Sequence, residues 1–456
     1  MSIAATEPLG DAAPRAAAFS HAGAGRPGAD SATAGERLRL ALLWMIAFTS
    51  GFVQIEPAPY ELFVSVAIVV FAATGLTLRA SLLPLLALLL VQNIGYIVSL
   101  MPVIELPRTF MWTIVTCFLS LTTLFFAMVL SQSTARRLDI LMRGYVAAAL
   151  VTSAIAVLAF FRLIPGADSF ILYDRAASTF KDPNVFGPFL VLPALVLLQR
   201  ILSGASLRVI AGAGAKVLLI AAGLLLTFSR GAWGHFAVSA IVMLGLTYVT
   251  TRSAADRFRL TLLAAIGVAV LAGLVVVLLS FDVVGDMFKV RANLVQDYDA
   301  GEQGRFGRHV AGMLRVFELP LGVGPLQFST VFSFEPHNSF ISAYMNGGWL
   351  AGTTWLALTI VTLVLGLKHA FVRTPWQPTF IAAYAAFVGE VGESYIIDVA
   401  HWRHYFLIMG IVWGLMVASR PARPAGRLTN DAPGQMIPAF RSSDSSCAGS
   451  TRASIA

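Results

Sequence analysis

Apolar stretches of about twenty residues, separated by short polar breaks, fill the chain from residue 38 to residue 419. Roughly 20 apolar residues are what a helix needs to cross the hydrocarbon core of a bilayer. The pattern predicts helices at 38–54, 57–78, 81–101, 109–130, 140–162, 183–202, 211–228, 231–250, 257–281, 338–367, 378–396 and 402–419. Residues 282–337 interrupt it and form the one large polar loop. Within that loop Val310, Met313, Leu314 and Phe317 recur at helical spacing, so an amphipathic helix is expected there. The flanks read differently. Residues 1–34 are rich in Ala and Gly, with Pro14 and Pro27 and no apolar core of a signal peptide, and residues 420–456 are rich in Ser, Pro and Ala. Both read as disordered arms. The expected organisation is therefore an arm at 1–34, membrane helices at 35–281, a loop at 282–337, membrane helices at 338–419 and a tail at 420–456.

Composition sharpens this picture. The 456 residues are 57% hydrophobic and 12% charged, with a mean hydropathy of +0.77. Soluble domains are roughly 45–50% apolar and about 25% charged. So few charges cannot coat a globule of this size, which excludes a soluble enzyme, a disordered chain and a nucleic-acid-binding protein, despite a pI near 9.8. The expected fold class is all-α: a polytopic membrane protein of about twelve transmembrane helices with one large loop. Two cysteines, Cys117 and Cys447, cannot make a disulfide framework.

The net charge of +8 matters through its placement. With the N-terminus inside, each inner loop holds a cation: Arg79; Arg136, Arg137 and Arg143; Arg200 and Arg208; Arg252, Arg257 and Arg259; Lys368 and Arg373; and Arg420, Arg423 and Arg427. That is the bias expected of cytoplasmic loops, and both termini are expected there. Acids gather on the outer face: Asp168, Asp174, Asp182, Asp282, Asp286, Asp297, Asp299, Glu302 and Glu335. The outer cations Arg175, Lys181, Arg230, Lys289, Arg291, Arg305, Arg308 and Arg315 break the bias and call for a separate explanation.

Four segments could carry chemistry. In Asp174 through Asn184, an N-cap acid, Asp182, precedes Pro183 at the first helical position. Arg175 and Lys181 stand just ahead of that helix start, where the dipole disfavours cations. In Ser229-Arg230-Gly231-Ala232, one arginine sits between two apolar stretches with almost no loop. It is either an interfacial arginine reaching to headgroups or an anion clamp built with helix N-terminal amides. The third segment opens with Arg305 and Arg308 and turns at Pro320-Leu321-Gly322-Val323-Gly324. It ends at His337-Asn338-Ser339, where Asn338 or Ser339 can cap the next helix. His337 is a capping or interfacial histidine or, kept neutral by the helix start, a proton acceptor. The fourth holds Glu390, Glu393, Asp398, His401, Arg403 and His404, for which pairing of Glu393 or Asp398 with Arg403 is expected. Asp297-Tyr298-Asp299 reads as a solvated acidic loop. No phosphate-binding loop, zinc spacing or nucleophile elbow is present.

Taken together, Arg175 through Asn184, Ser229-Arg230-Gly231-Ala232, and the run from Arg305 through Pro320-Leu321-Gly322-Val323-Gly324 to His337-Asn338 and Gly347-Gly348 resemble the O-antigen ligase and polymerase family of bacterial envelope glycosyltransferases. The resemblance covers residues 35–420. It implies a GT-C-like, inverting, metal-independent transferase in the bacterial inner membrane, with a periplasmic active site and no cofactor. It also implies a glycan donor linked to undecaprenyl diphosphate and, as acceptor, a lipid A-core or a growing polysaccharide. Membrane lipids are the other expected partner. By the resemblance Arg230, Arg305 and His337 are catalytic, with Arg308 fitting the same spacing as Arg305. Arg175, Lys181, Asn184, Arg308 and Asn338 are expected to bind substrate. A transporter or flippase for a lipid-linked or anionic substrate is the rival expectation.

Overall fold

The computed structural model describes residues 34–103, 106–204, 206–291, 304–332 and 336–419. The expected tail at 420–456, the expected arm up to residue 33, Asp297-Tyr298-Asp299, Glu302 and Glu335 lie outside the described residues. In chain order the helices are α1 (Ala34–Thr49), α2 (Pro59–Ala73), α3 (Leu83–Val98), α4 (Leu106–Leu130), α5 (Thr134–Phe160), α6 (Pro183–Phe189), α7 (Val191–Leu202), α8 (Leu207–Leu226) and α9 (Arg230–Thr250). After them come α10 (Ala254–Leu279), α11 (Asp282–Arg291), α12 (Arg305–Val316), α13 (Phe328–Phe332), α14 (Ser339–Ala370), α15 (Gln377–Glu393) and α16 (Arg403–Ala418). The described strands are the two-residue pair β1 (Ile171–Leu172) and β2 (Arg175–Ala176). Among the described residues, eight helical segments are long and apolar enough to cross a membrane, and α2 and α16 are shorter apolar helices.

One departure from the sequence pattern has a local cause. The expected span 183–202 divides at Leu190 into α6 and α7, where Pro193 has no N–H to give to the preceding turn. Among its described residues the loop 282–337 holds three helices, of which α12 is the amphipathic one expected from Val310, Met313 and Leu314, with Phe317 just past its end.

Apolar residues fill the core and also cover much of the outside. Helix α16 is buried along its length from His404 to Val417, as expected of a helix apolar all round. The most apolar span, α10, buries only Leu260 and Leu278. Val268 and Val276 on α10 and Ile241 on α9 are 67%, 68% and 70% exposed. Apolar surface of this extent is stable against lipid and not against water. Helices approach where side chains are small, because apolar lipid leaves close packing as the main attraction between them. Each of the four most extensive helix pairs meets at a glycine: α3 with α14 at Gly95 against Ala351, α1 with α5 at Gly144 against Trp44, α4 with α16 at Gly410 against Thr123, and α9 with α15 at Gly389 against Ser239.

The antiparallel succession sorts the connections into two ends. At one, here the loop end, Val53 N donates to Thr179 O (3.0 Å), Gln54 Nε2 to Ser169 O (2.7 Å) and Ser99 Oγ to Leu321 O (2.6 Å). At the other, here the basic end, Gln132 Nε2 donates to Thr77 Oγ1 (2.7 Å), Arg137 pairs with Glu36 (3.5 Å) and Trp376 Nε1 donates to Ser419 Oγ (3.3 Å).

Candidate functional site

The loop end brings together three of the segments singled out in the sequence. At the start of α6 the Asp182 carboxylate accepts from Asn184 N (2.7 Å), with Pro183 at the first helical position. Arg175 is buried in β2. Its Nε donates to Thr227 O and its Nη2 to Asn184 Oδ1, both at 2.7 Å. Thr227 ends α8, so Arg175 stands at a helix C-terminus, where the dipole favours a cation. That resolves the puzzle of a cation ahead of α6, and it ties the start of α6 to the turn before α9.

In that turn each residue of Ser229-Arg230-Gly231-Ala232 has a reason. Ser229 is the N-cap of α9, and its Oγ accepts from Ala232 N (3.4 Å). Arg230 is the first helical residue and is partly exposed. At Gly231 a Cβ would stand 2.7 Å from Glu393 Oε1, so any side chain would press on that carboxylate. Ala232 packs on Gly187 of α6, where a Cβ would come within 2.5 Å of it.

Asn338 is the N-cap of α14: its Oδ1 accepts from Phe340 N and Ile341 N, each at 3.0 Å. Its Nδ2 donates to Tyr395 O (3.0 Å) and Ser339 N donates to Ser394 O (2.9 Å), so the start of α14 is stitched to the residues just after Glu393. His337 precedes the cap, exposed and at φ 49°, a conformation uncommon for a residue with a Cβ. The Pro320–Gly324 turn and Gly347-Gly348 meet each other. Gly348 (φ 65°) interrupts α14, Trp349 N donates to Pro320 O (2.9 Å) and Val323 N to Met345 O (2.7 Å). Arg305 is the first residue of α12, and Arg308 Nε donates to Gly304 O (3.3 Å). Glu335 lies outside the described residues.

Other residues take different places from those expected. Lys181 is half-exposed and pairs with Glu56 (3.0 Å). Arg403 pairs with Glu61 and Glu56, not with Glu393 or Asp398 as expected. Asp398 instead meets Ser339 Oγ (3.1 Å) and caps Ala400 N (2.9 Å). The reason is topological: α2 and the loop before it reach the start of α16, while Glu393 faces inward against α9. Partial burial pushes the Glu56 carboxyl up, but the hydrogen bond and charge of Lys181, with Arg403 adding, outweigh it and hold its pKa below the ordinary value. His401 stacks on Trp112 (4.4 Å between ring centres) with Nε2 2.8 Å from Thr116 Oγ1. Burial, opposed by Asp398 and aided by Arg403, brings its pKa down to about 4.

The group missed in the sequence is His235. Its Nδ1 lies 2.9 Å from Glu393 Oε2 and its Nε2 3.0 Å from Ala386 O, inside the bundle. The available signal was a histidine within a membrane span, five residues after Arg230. Among the described residues, no group of three or more His, Cys, Asp or Glu is arranged to hold a metal ion.

The two described cavities, of about 500 and 340 Å³, lie at the basic end. The larger is lined by Arg143, Arg200, Lys216 and Trp376 over an apolar wall. Neither touches the gathered motifs. The motif cluster is the better candidate for chemistry, because it joins three helix starts to a buried arginine and a buried His235–Glu393 pair. No family model matches the chain, and no curated protein matches it.

Proposed function

We propose that the protein is a multi-pass membrane glycosyltransferase of the O-antigen ligase or polymerase type, which moves a glycan from undecaprenyl diphosphate onto a sugar hydroxyl. One observation carries the reading. Arg175 bridges the start of α6 to the turn before α9, Glu393 abuts the start of α9, and the residues after Glu393 bond to the start of α14. Three helix starts bearing Asn184, Arg230 and His337 thus form one connected group. Helix starts offer amides to anions, and arginine forks bind phosphate oxygens without deprotonating.

In this reading the chain crosses the inner membrane twelve times in a GT-C-like arrangement, the short helices α1, α2, α15 and α16 included. The basic end faces the cytoplasm and the loop end the periplasm. Arg230, with Arg305 or Arg308, holds the diphosphate and stabilises the charge it gains as the bond from the anomeric carbon to its oxygen breaks. His337 takes the proton of the acceptor hydroxyl as that oxygen bonds to the anomeric carbon from the opposite face, so the configuration inverts. Arg175 and Asn184 hold the floor of the site, and Asn338 fixes the backbone that presents His337. The amphipathic α12, whose Val310, Met313 and Leu314 are exposed, as is Phe317 at its end, lies on the membrane surface beside the site.

The test is transfer by purified protein in proteoliposomes given an undecaprenyl-diphosphate glycan and a sugar acceptor. A product with inverted anomeric configuration, lost in Arg230→Ala, supports the reading. Movement of unmodified lipid-linked glycan across the bilayer without product favours a flippase instead.

A further inference from the structure

Beneath the three helix starts, ionisable groups are buried in the bundle that the transfer chemistry leaves unused. His235 Nε2 lies 3.0 Å from the carbonyl oxygen of Ala386. A carbonyl only accepts, so Nε2 carries a proton. On the other side of the ring, Nδ1 is 2.9 Å from Glu393 Oε2. One proton occupies that contact, on the ring or on the carboxyl, and it belongs to the pair. The second carboxyl oxygen, Oε1, has no hydrogen-bond partner although the Glu393 side chain is only 1% exposed. A buried, unpaired carboxyl oxygen is costly and needs a reason.

The direction of Oε1 supplies one. It points at Gly231, 2.7 Å from where a Cβ would be, beside the first turn of the helix that begins at Arg230. The ionisable groups facing Glu393 are His235 from α9, Glu390 one turn back on its own helix and His404 from α16. Glu390 and His404 approach to 3.2 Å, but at angles that make no hydrogen bond. On α7 the charged residue is Arg200, in its last turn, and among the described residues the acid bonded at the start of α14 is Asp398, through Ser339.

Resting on the diphosphate reading above, we propose that Glu393 Oε1 is a proton-binding site coupled to an anion held at the start of α9. With the shared proton on His235 Nδ1, Glu393 is a carboxylate whose Oε1 faces the place where the diphosphate charge must sit, and like charges in a buried setting repel strongly. A further proton taken from water onto Oε1, the shared one staying on His235 Nδ1, converts the carboxylate to a carboxylic acid. The repulsion ends, and an O–H is aimed at the helix start. Anion binding and protonation therefore favour each other by linkage. Gly231 keeps the gap between Oε1 and the helix start clear, which gives the glycine of Ser229-Arg230-Gly231-Ala232 a role beyond packing.

The experiment is calorimetric titration of the full chain in lipid nanodiscs with inorganic pyrophosphate, repeated in two buffers of different ionisation enthalpy to count protons taken up per anion bound. Wild type is expected to take up roughly one proton more than Glu393→Gln near neutral pH. The protonation of pyrophosphate itself and of His337 is common to both proteins and cancels in the difference. Gly231→Ala is the second variant: it keeps the acid but displaces Oε1, so its proton count should fall toward that of Glu393→Gln. Equal counts in wild type and either variant, with pyrophosphate bound by both, overturn the proposal and leave the diphosphate reading intact. Absence of pyrophosphate binding to wild type overturns both.

Discussion

The two ends of the bundle use charge in opposite ways. At the basic end arginines outnumber acids and many, such as Arg143 and Arg200, are exposed. The contacts of these exposed arginines are local, as when Arg143 pairs with Asp139 one turn away (2.8 Å), while the buried Arg137 reaches back to Glu36 (3.5 Å). At the loop end, cations and acids are brought together from distant parts of the chain. Arg175 reaches Thr227, Arg403 reaches Glu61, and His235 reaches Glu393 across 158 residues. The basic end needs only sign and number to orient a membrane protein, and any nearby residue of the right charge serves. The loop end needs particular groups at particular distances, which is what chemistry requires. Arginine is common to both ends, so arginine alone identifies neither.

The sharpest way to break this comparison is to exchange equivalent substitutions between the ends. Arg230→Ala should lower glycan transfer by about a hundredfold or more, the scale for removing one preorganised charge-stabilising donor. Arg200→Ala, at the rim of the larger cavity, should change it by less than about twofold. Product formation at matched protein levels measures both, and similar losses would erase the distinction. Gly231→Val should come next. A branched side chain there meets Glu393 Oε1 and, by overpacking, should cost about 1–3 kcal/mol of stability together with most of the activity. Val at exposed Gly212 on α8, where a Cβ meets no neighbour, should do neither.

The sequence revealed the helices more fully than it revealed the site, for a physical reason. Hydropathy is summed over twenty residues, so the spans 231–250 and 402–419 match α9 and α16 closely. Capping is local too: Asp182 caps the helix expected of it, and of the expected pair Asn338 and Ser339 it is Asn338 that caps α14. Pairing between helices is not local. Nothing in the order of residues says that Glu393 turns toward His235 while Arg403 turns toward Glu61. A resemblance in short motifs singled out Gly231 and Gly348 but not what they accommodate. Only the packing shows that Gly231 makes room for a carboxylate, and that Gly348 opens α14 to accept the Pro320–Gly324 turn.

Smaller effects sharpen the comparison further. Asn338→Ala removes the N-cap of α14 and the bond to Tyr395 O, and should cost about 1–2 kcal/mol in thermal or denaturant unfolding. Lys181→Ala removes only a half-exposed ion pair with Glu56, and should cost no more than about 1 kcal/mol. The response to pH separates the ends as well. With the folded pKa of His401 near 4 and its ordinary value 6.5, the unfolded chain binds a proton in that window that the folded chain does not. Its contribution to stability is therefore full above about pH 6.5 and is lost as pH falls toward 4. His401→Phe, which keeps a ring against Trp112, should flatten the dependence of the unfolding midpoint on pH across that window.

The most direct test of the account is where a lipid diphosphate touches the protein. An undecaprenyl diphosphate analogue with a photoreactive group beside the phosphates, cross-linked in membranes and mapped by mass spectrometry, should label the helix starts at Ser229–Trp233 and His337–Ile341. Labelling confined to the basic-end cavity around Arg200 and Trp376 would contradict it.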